Sequence, residues 1–220
     1  MRAVFFDLDD TLIHTTGTRR RRMRLAFETL SAAVPNLDRR WFYARVQTVD
    51  PASGWLRGVG AVVEELGLAH TEAGRRAAGL WFYEGCLEIL KPHSGARRAI
   101  RSLTRDYRLG VITNGPGDLQ RRKFGVLDLA DHFEVFIASE EVGHHKPDPR
   151  IFRFALAKLG VDPHEALLVG DLPHVDVLGA QSAGMRGVWF NRKGQPAPDG
   201  IVPDATIRSL AELPGLVRSW

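Results

Sequence analysis

Residues 3–12 decide the fold class, and they read Ala-Val-Phe-Phe-Asp-Leu-Asp-Asp-Thr-Leu. The apolar run at 3–6 is typical of a short strand that is buried on both faces of a sheet. The apolar run stops at Asp7, and two more aspartates, Asp9 and Asp10, follow within three residues. An abrupt change from apolar to acidic residues is expected where the carboxyl end of a buried strand opens into a site. The stretch therefore predicts an α/β fold with a site beside Asp7.

Four further apolar runs predict buried strands, at 109–112, 135–138, 167–169 and 187–190. Helix-like segments lie between them, at 95–105, 118–124, 148–159 and 175–183. Strands that alternate with helices predict right-handed crossovers and a parallel sheet covered on both faces. We therefore expect a doubly wound, Rossmann-like α/β core. After it, residues 194–203 predict a loop before a short final helix.

The interval between the first two predicted strands interrupts this alternation. Residues 15–90 show helical periodicity and no convincing buried strand, which predicts about four helices. We expect residues 1–14 and 91–220 to form the α/β catalytic core and residues 15–90 to form an inserted helical cap domain. The large aromatic residues of the insertion are expected mostly in its core. They are Trp41, Phe42, Trp55, Trp81 and Phe82.

Composition and charge exclude several classes of protein. The chain has 220 residues, of which 44% are hydrophobic and 25% charged, as in ordinary globular proteins. The net charge of +4 is mild, and the arginine run at 19–22 has no interleaved aromatic residues, so we expect a solvated helix start and no nucleic-acid partner. Neither a membrane span nor a signal peptide is indicated. With a single cysteine, Cys86, these features predict a cytoplasmic protein.

Polar residues suited to phosphate chemistry follow the other predicted strands. Thr113 and Asn114 offer a hydroxyl and backbone N–H groups for a phosphoryl oxygen. Lys146 offers a point charge before a predicted helix. Asp171 ends the fourth strand, and Asp176 follows it. Because the carboxyl ends of parallel strands share one edge of the sheet, these side chains are expected to reach one ligand beside the first motif.

Taken singly, each motif also has a structural explanation. Asp9 and Asp10 can end a strand in a turn, and Thr113-Asn114 is ordinary turn chemistry. Lys146 can be a surface residue, and Asp176 can cap a helix or orient Lys146. Recurrence at successive strand ends is what favours a catalytic site.

In this order the motifs resemble those of the haloacid dehalogenase-like superfamily, in its phosphatase branch with an inserted helical (C1-type) cap. The resemblance covers the whole core. It implies a phosphatase in which Asp7 is the nucleophile and Asp9 the general acid and base. It also implies Mg²⁺ held by the Asp7 carboxylate, the Asp9 main-chain carbonyl and Asp171, with Asp176 as a supporting or water-mediated ligand.

The same resemblance assigns the phosphoryl group to Thr113, Asn114 and Lys146, of which Thr113 and Lys146 also act in catalysis. The expected substrate is a small phosphorylated metabolite, and the expected assembly is a monomer or a homodimer. Core motifs recognise only the phosphoryl group, so selectivity is expected to depend on the insertion, where Trp55 and Arg57 are candidates.

Other functions stay open to different degrees. Family members that cleave carbon–halogen bonds lack the second aspartate of the first motif, and Asp9 is present here. A phosphomutase would keep all four motifs and differ in its cap. A non-catalytic module that binds a phosphorylated ligand is expected to lose Asp7 or Asp9, and both are present.

Overall fold

A computed structural model describes residues 1–47, 57–81 and 87–220, with the side chain of Arg57 left out. The expectations for Trp55, Phe82, Cys86 and the Arg57 side chain therefore lie outside the described residues. The chain divides into two compact units. The α/β unit comprises residues 1–14 and 91–220, and the helical unit comprises residues 15–90.

A parallel sheet forms the centre of the α/β unit. Its six described strands are β1 (Ala3–Phe6), β2 (Arg108–Thr113), β3 (Val135–Ala138), β4 (Ala166–Gly170), β5 (Arg186–Phe190) and β6 (Ala205–Ile207). Their order is β3-β2-β1-β4-β5-β6, and all their pairings are parallel. The doubly wound α/β prediction is confirmed. The first motif follows a central strand, β1.

The helical unit has a core of its own. Its described residues form α1 (Arg19–Ala33), α2 (Arg39–Gln47), α3 (Arg57–Glu65) and α4 (Glu72–Trp81). Phe42 and Trp81 are buried in a shared cluster, and Trp41 is partly buried against it. These three aromatic residues therefore pack as expected.

The arginine run does not behave as predicted throughout. Arg22 is only 3% exposed, so the expectation of a solvated run is wrong at this position. Its guanidinium donates a hydrogen bond to the carbonyl oxygen of Trp81 at 2.7 Å and lies over the Trp81 ring. An arginine can be buried when its donors are satisfied and its planar group stacks on an aromatic face.

Helices cover the sheet of the α/β unit. They are α5 (Ala96–Leu103), α6 (Gly117–Gly125), α7 (Ser139–Val142), α8 (Pro149–Leu159), α9 (Leu178–Ser182) and α10 (Leu213–Arg218). On one face, Phe5 and Leu168 pack in a cluster with Phe152 of α8. Val4 and Phe6, which point to the other face, are also fully buried. Burial on both faces is what a parallel sheet requires.

Two segments differ from the sequence prediction. The predicted helix at 175–183 is an α-helix only over Leu178–Ser182, because Pro173–Val177 forms a π-helical turn. The predicted loop at 194–203 has no regular structure, but the chain then adds β6 at the sheet edge before α10. β6 has three residues, too few for alternation to be visible in the sequence. Within the described ranges, no helix has the length and apolar character to cross a membrane.

Candidate active site

The carboxyl ends of β1 and β4 lie side by side, and each leads into an aspartate. Phe6 pairs with Val169, and the next amide, that of Asp7, donates to the Val169 carbonyl at 2.9 Å. Asp171 directly follows β4. One carboxylate oxygen from each of Asp7, Asp171 and Asp176 lies within 4.8 Å of the others. The structure thus brings together three of the predicted acidic residues, which we call the acid cluster.

Lys146 neutralises part of this cluster. Its ammonium donates to Asp7 Oδ1 and to Asp176 Oδ1, both at 2.7 Å, and its side chain is 2% exposed. Burial alone would lower the pKa of Lys146, but the charges of Asp176 and Asp7 outweigh burial and raise that pKa above its ordinary value. Lys146 is therefore a fixed cation beside Asp7.

The single positive charge of Lys146 does not balance the negative charges that three ionised carboxylates of the acid cluster would carry. Burial raises the pKa of Asp7 to about 7, although Lys146 opposes the rise. Burial, followed by the charges of Asp7 and Asp176, raises the pKa of Asp171 to about 8. A cation that accepts hard oxygen ligands would relieve this repulsion, and Mg²⁺ is usually held by one or two carboxylates. Asp7 and Asp171 fit that requirement.

Asp176 owes its position to a glycine at the end of β4. A Cβ atom at Gly170 would lie 2.3 Å from Cβ of Asp176, a distance that non-bonded atoms do not reach. Asp176 is 1% exposed, and its Oδ2 accepts a hydrogen bond from the Leu172 amide at 3.0 Å. Both carboxylate oxygens of Asp176 are thus engaged, one by Lys146 and one by the backbone.

A reciprocal amide pair fixes the loop that carries Lys146. The Asn114 side chain donates to the Lys146 carbonyl at 3.0 Å, and the Lys146 amide donates to Asn114 Oδ1 at 2.8 Å. Asn114 directly follows β2, so the pair joins the chain after β2 to the chain after β3. Thr113, the last residue of β2, is 1% exposed. Two of the predicted phosphate-binding segments are therefore held together.

Two side chains of α6 hold the Asp9 carboxylate. Lys123 Nζ lies 2.9 Å from both Asp9 oxygens, and Gln120 Nε2 donates to Asp9 Oδ2 at 2.8 Å. Gln120 also donates to the Thr113 hydroxyl. Lys123 is not predicted from the sequence. The signal that could have found it is the three-residue spacing of two long polar side chains on one helix face.

The turn after Asp9 brings two histidines near Asp10. Asp10 has a φ of +56°, and its amide donates to the Ile13 carbonyl at 2.7 Å, in agreement with the turn considered for it. His14 and His93 lie beside this turn with their rings 5.1 Å apart. Burial, then the charges of Arg192 and His14, lower the pKa of His93 to about 4. The His93 ring is therefore neutral near pH 7.

Known proteins resemble this chain over nearly its full length. Residues 1–184 match the family described as haloacid dehalogenase-like hydrolase. The chain is 32% identical to phosphoserine phosphatase of Thermus thermophilus, over 97% of this chain and 98% of that protein. It is 33% identical to glyceraldehyde 3-phosphate phosphatase of Pyrococcus abyssi, over 86% and 81%. A crystal structure of 2-haloacid dehalogenase from Pseudomonas syringae matches with a TM-score of 0.76 and 29% identity, covering 100% and 99%.

These likenesses agree with the order of the motifs and with the sheet. The family match includes every residue of the acid cluster, together with Asp9 and Lys146. Two of the relatives that span most of the chain are named phosphatases. The chain belongs to the haloacid dehalogenase-like hydrolase family, in its phosphatase branch.

Proposed function

We propose that the protein is a magnesium-dependent phosphatase that hydrolyses a small phosphorylated metabolite through an aspartyl-phosphate on Asp7. The observation that carries the proposal is the buried Lys146, which bridges Asp7 and Asp176 beside Asp171. A structural ion pair would need one carboxylate for one lysine. Three carboxylates around one lysine suit a site for a cation and an anionic substrate.

In the first half-reaction, an Asp7 oxygen attacks phosphorus in line with the leaving group. Lys146 engages Oδ1, which lowers its nucleophilicity, so we assign the attack to Oδ2. The P–O bond to the leaving group breaks as the Asp7 O–P bond forms. Asp9 gives its proton to the departing alkoxide.

In the second half-reaction, water hydrolyses the aspartyl-phosphate. Asp9, now a carboxylate, accepts a proton from the attacking water as its oxygen bonds to phosphorus. The Asp7 O–P bond breaks, which releases inorganic phosphate and restores Asp7. Mg²⁺ held by Asp7, Asp171 and the Asp9 carbonyl would offset the repulsion between the nucleophile and an anionic substrate.

The remaining motif residues bind the transferring group. The Thr113 hydroxyl, the Asn114 amide and Lys146 would stabilise charge on its oxygens. Asn114 already holds the backbone of Lys146 in place, so little reorganisation of this loop would be needed when the substrate binds. Residues 15–90 would then act as the cap that selects the leaving group.

Two alternative reactions would also start from a nucleophilic Asp7. The likeness to a 2-haloacid dehalogenase favours halide displacement, but a halide leaves without a proton and would give Asp9 no task. A phosphomutase would use the same motifs and transfer the phosphoryl group back to its product. Measuring halide ion, free phosphate and sugar-phosphate isomers in parallel separates the three reactions.

The deciding experiment combines a phosphate-release screen with a change at Asp7. The wild-type protein with Mg²⁺ is expected to release phosphate from at least one member of a panel of phosphorylated metabolites, and EDTA is expected to abolish the release. Asp7→Asn removes the nucleophile with little change in shape, so a loss of at least about 1,000-fold is expected. Asp148→Asn, at the N-cap of α8, keeps a capping side chain and serves as the control. Full activity in EDTA, or in Asp7→Asn, would exclude this mechanism.

A further inference from the structure

A second group of side chains of the kinds that can ligate a metal ion lies outside the acid cluster. Asp10, His14 and His93 each place one ligand atom within 4.8 Å of the other two. The proposed phosphatase mechanism uses none of these three side chains. We call them the histidine cluster.

The backbone holds the two halves of the histidine cluster together. Asp10 and His14 belong to the turn after β1, whereas His93 comes from the segment that re-enters the α/β unit. The His14 amide donates to the Lys91 carbonyl at 2.9 Å, and the His93 amide donates to the Leu12 carbonyl at 2.8 Å. The three side chains are thus positioned by two backbone hydrogen bonds within one unit.

Among the residues that the structure describes, no hydrogen-bond partner is found for two ring nitrogens of this cluster. Within the described residues, His14 Nδ1 and His93 Nε2 are buried atoms for which no partner is found. His93 as a whole is only 7% exposed. Buried polar atoms are nearly always paired, because an unpaired one has lost its hydration without gaining a hydrogen bond in exchange. Two such atoms on adjacent rings indicate that a ligand supplies the missing interaction.

We propose that Asp10, His14 and His93 bind a divalent transition-metal ion such as Zn²⁺ at a site distinct from the Mg²⁺ site. Two imidazole nitrogens and one carboxylate oxygen are ligands that Zn²⁺ accepts, whereas Mg²⁺ prefers oxygen alone. The two sites of the α/β unit therefore differ in the class of metal that they select.

The three ligand atoms, which lie within 4.8 Å of one another, must approach more closely to hold the ion. Zn–N bonds of about 2.0–2.1 Å in a tetrahedral site put neighbouring ligand atoms about 3.3 Å apart. His14 Nδ1 and Asp10 Oδ1 are already 3.6 Å apart. The His14 side chain is 39% exposed, so it has room to move toward His93.

Neighbouring groups have opposite effects on the affinity of the histidine cluster for a cation. Burial lowers the pKa of the His93 ring, while the charge and the backbone of the adjacent Asp10 oppose that change. The positive charge of Arg192 acts on the same ring and opposes a bound cation. The Asp10 carboxylate supplies the compensating negative charge.

The test is isothermal titration of Zn²⁺ into the full chain saturated with Mg²⁺, with five variants. His93→Phe keeps an aromatic ring against Phe190, and His14→Gln changes a half-exposed side chain. Each is expected to weaken Zn²⁺ binding at least about 100-fold, the upper end of what loss of a mere supporting partner costs. Arg192→Gln is expected to tighten binding. His164→Phe, at an exposed position, and Asp171→Asn, in the acid cluster, are the controls and are expected to bind Zn²⁺ as the wild type does.

Other outcomes contradict the proposal. Absence of Zn²⁺ binding to the wild type, or unchanged affinity in His14→Gln, overturns it. Loss of binding in Asp171→Asn with retention in His14→Gln would place Zn²⁺ in the acid cluster instead. If His93→Phe does not fold, His14→Gln decides alone. Because the readout is Zn²⁺ binding, failure here leaves the phosphatase proposal intact.

Discussion

Among individual side chains, Asp7 and Asp171 would couple the proposed metal binding to pH. The unfolded chain loses protons from both carboxyls near pH 4, whereas the folded, metal-free protein keeps them until about pH 7 and 8. The folded state thus binds more protons across this interval. The contribution of these two groups to stability is present at low pH and is lost as the pH rises through 7 and 8.

At the proposed site, protons and Mg²⁺ would therefore compete for the carboxylate oxygens of Asp7 and Asp171. We predict that Mg²⁺ raises Tm more at about pH 8 than at about pH 6, because fewer protons need to be displaced at the higher pH. Thermal unfolding with Mg²⁺ and with EDTA at both pH values measures the difference. Asp171→Asn removes one titrating ligand and is expected to reduce it. An equal Mg²⁺ effect at both pH values would show that the ion binds elsewhere.

The acid cluster could be predicted from the sequence because its members follow strand ends. Parallel strands align their carboxyl ends, so Asp7 and Asp171 were expected at the same edge of the sheet. The adjacency of β1 and β4, which makes the two residues neighbours, is seen only in the structure. Lys123 follows no strand. Its contact with Asp9 depends on the rotation of a helix about its axis, which motif spacing does not encode. The catalytic role of each residue stays a prediction.

At the level of helices and strands, α6 provides Lys123, which allows the proposed role of Asp9 as general acid to be tested. We predict that Lys123→Met lowers kcat for alkyl phosphates by about 10–100-fold, a part of the factor that general acid–base catalysis supplies. The change removes a cation 2.9 Å from Asp9, so the carboxylate loses an anchor. Hydrolysis of p-nitrophenyl phosphate is expected to fall much less, since its leaving group needs no proton.

The control for this prediction lies on the same helix. Arg122→Met removes an exposed positive charge next to Lys123 and is expected to leave both rates unchanged. Equal losses for the two substrates in Lys123→Met would indicate a general disturbance of the site. In that case Lys123 would not act through Asp9.

The strands also show where prediction from sequence ends. β1 and β4 are fully buried apolar runs, and their positions agree with the structure to within a residue. β6 has only one buried residue, Ile207, and gains its form by pairing with β5 at the sheet edge. A strand stabilised mainly by its neighbour leaves little trace in local hydrophobicity.

At the scale of the whole chain, the α/β unit ends its first segment at His14 and resumes at Lys91, and these two residues are neighbours. The His14 amide and the Lys91 carbonyl are hydrogen-bonded at 2.9 Å, so a short Gly-Ser linker can replace residues 15–90. We predict that the shortened protein folds, because the helical unit has its own apolar cluster and the sheet another. It should hydrolyse acetyl phosphate while losing its discrimination among larger phosphate esters.

Circular dichroism and kcat/KM across a substrate panel measure these two outcomes. Asp7→Asn in the shortened protein is the control, and it should abolish the remaining hydrolysis. If the shortened protein ranks substrates as the full chain does, residues 15–90 do not select the leaving group.

The central position of β1 has a consequence for synthesis on the ribosome. β1 is made first, yet its partners β2 and β4 follow more than 100 and more than 160 residues later. At roughly 5–20 residues per second, β1 waits about 5–20 s for β2 and longer for β4. The helical unit emerges in that interval, and its helices pack on one another around their own apolar cluster. The nascent chain therefore carries an unpaired apolar strand while the helical unit can already be folded, and Asp7 and Asp171 meet only once translation has passed Asp171.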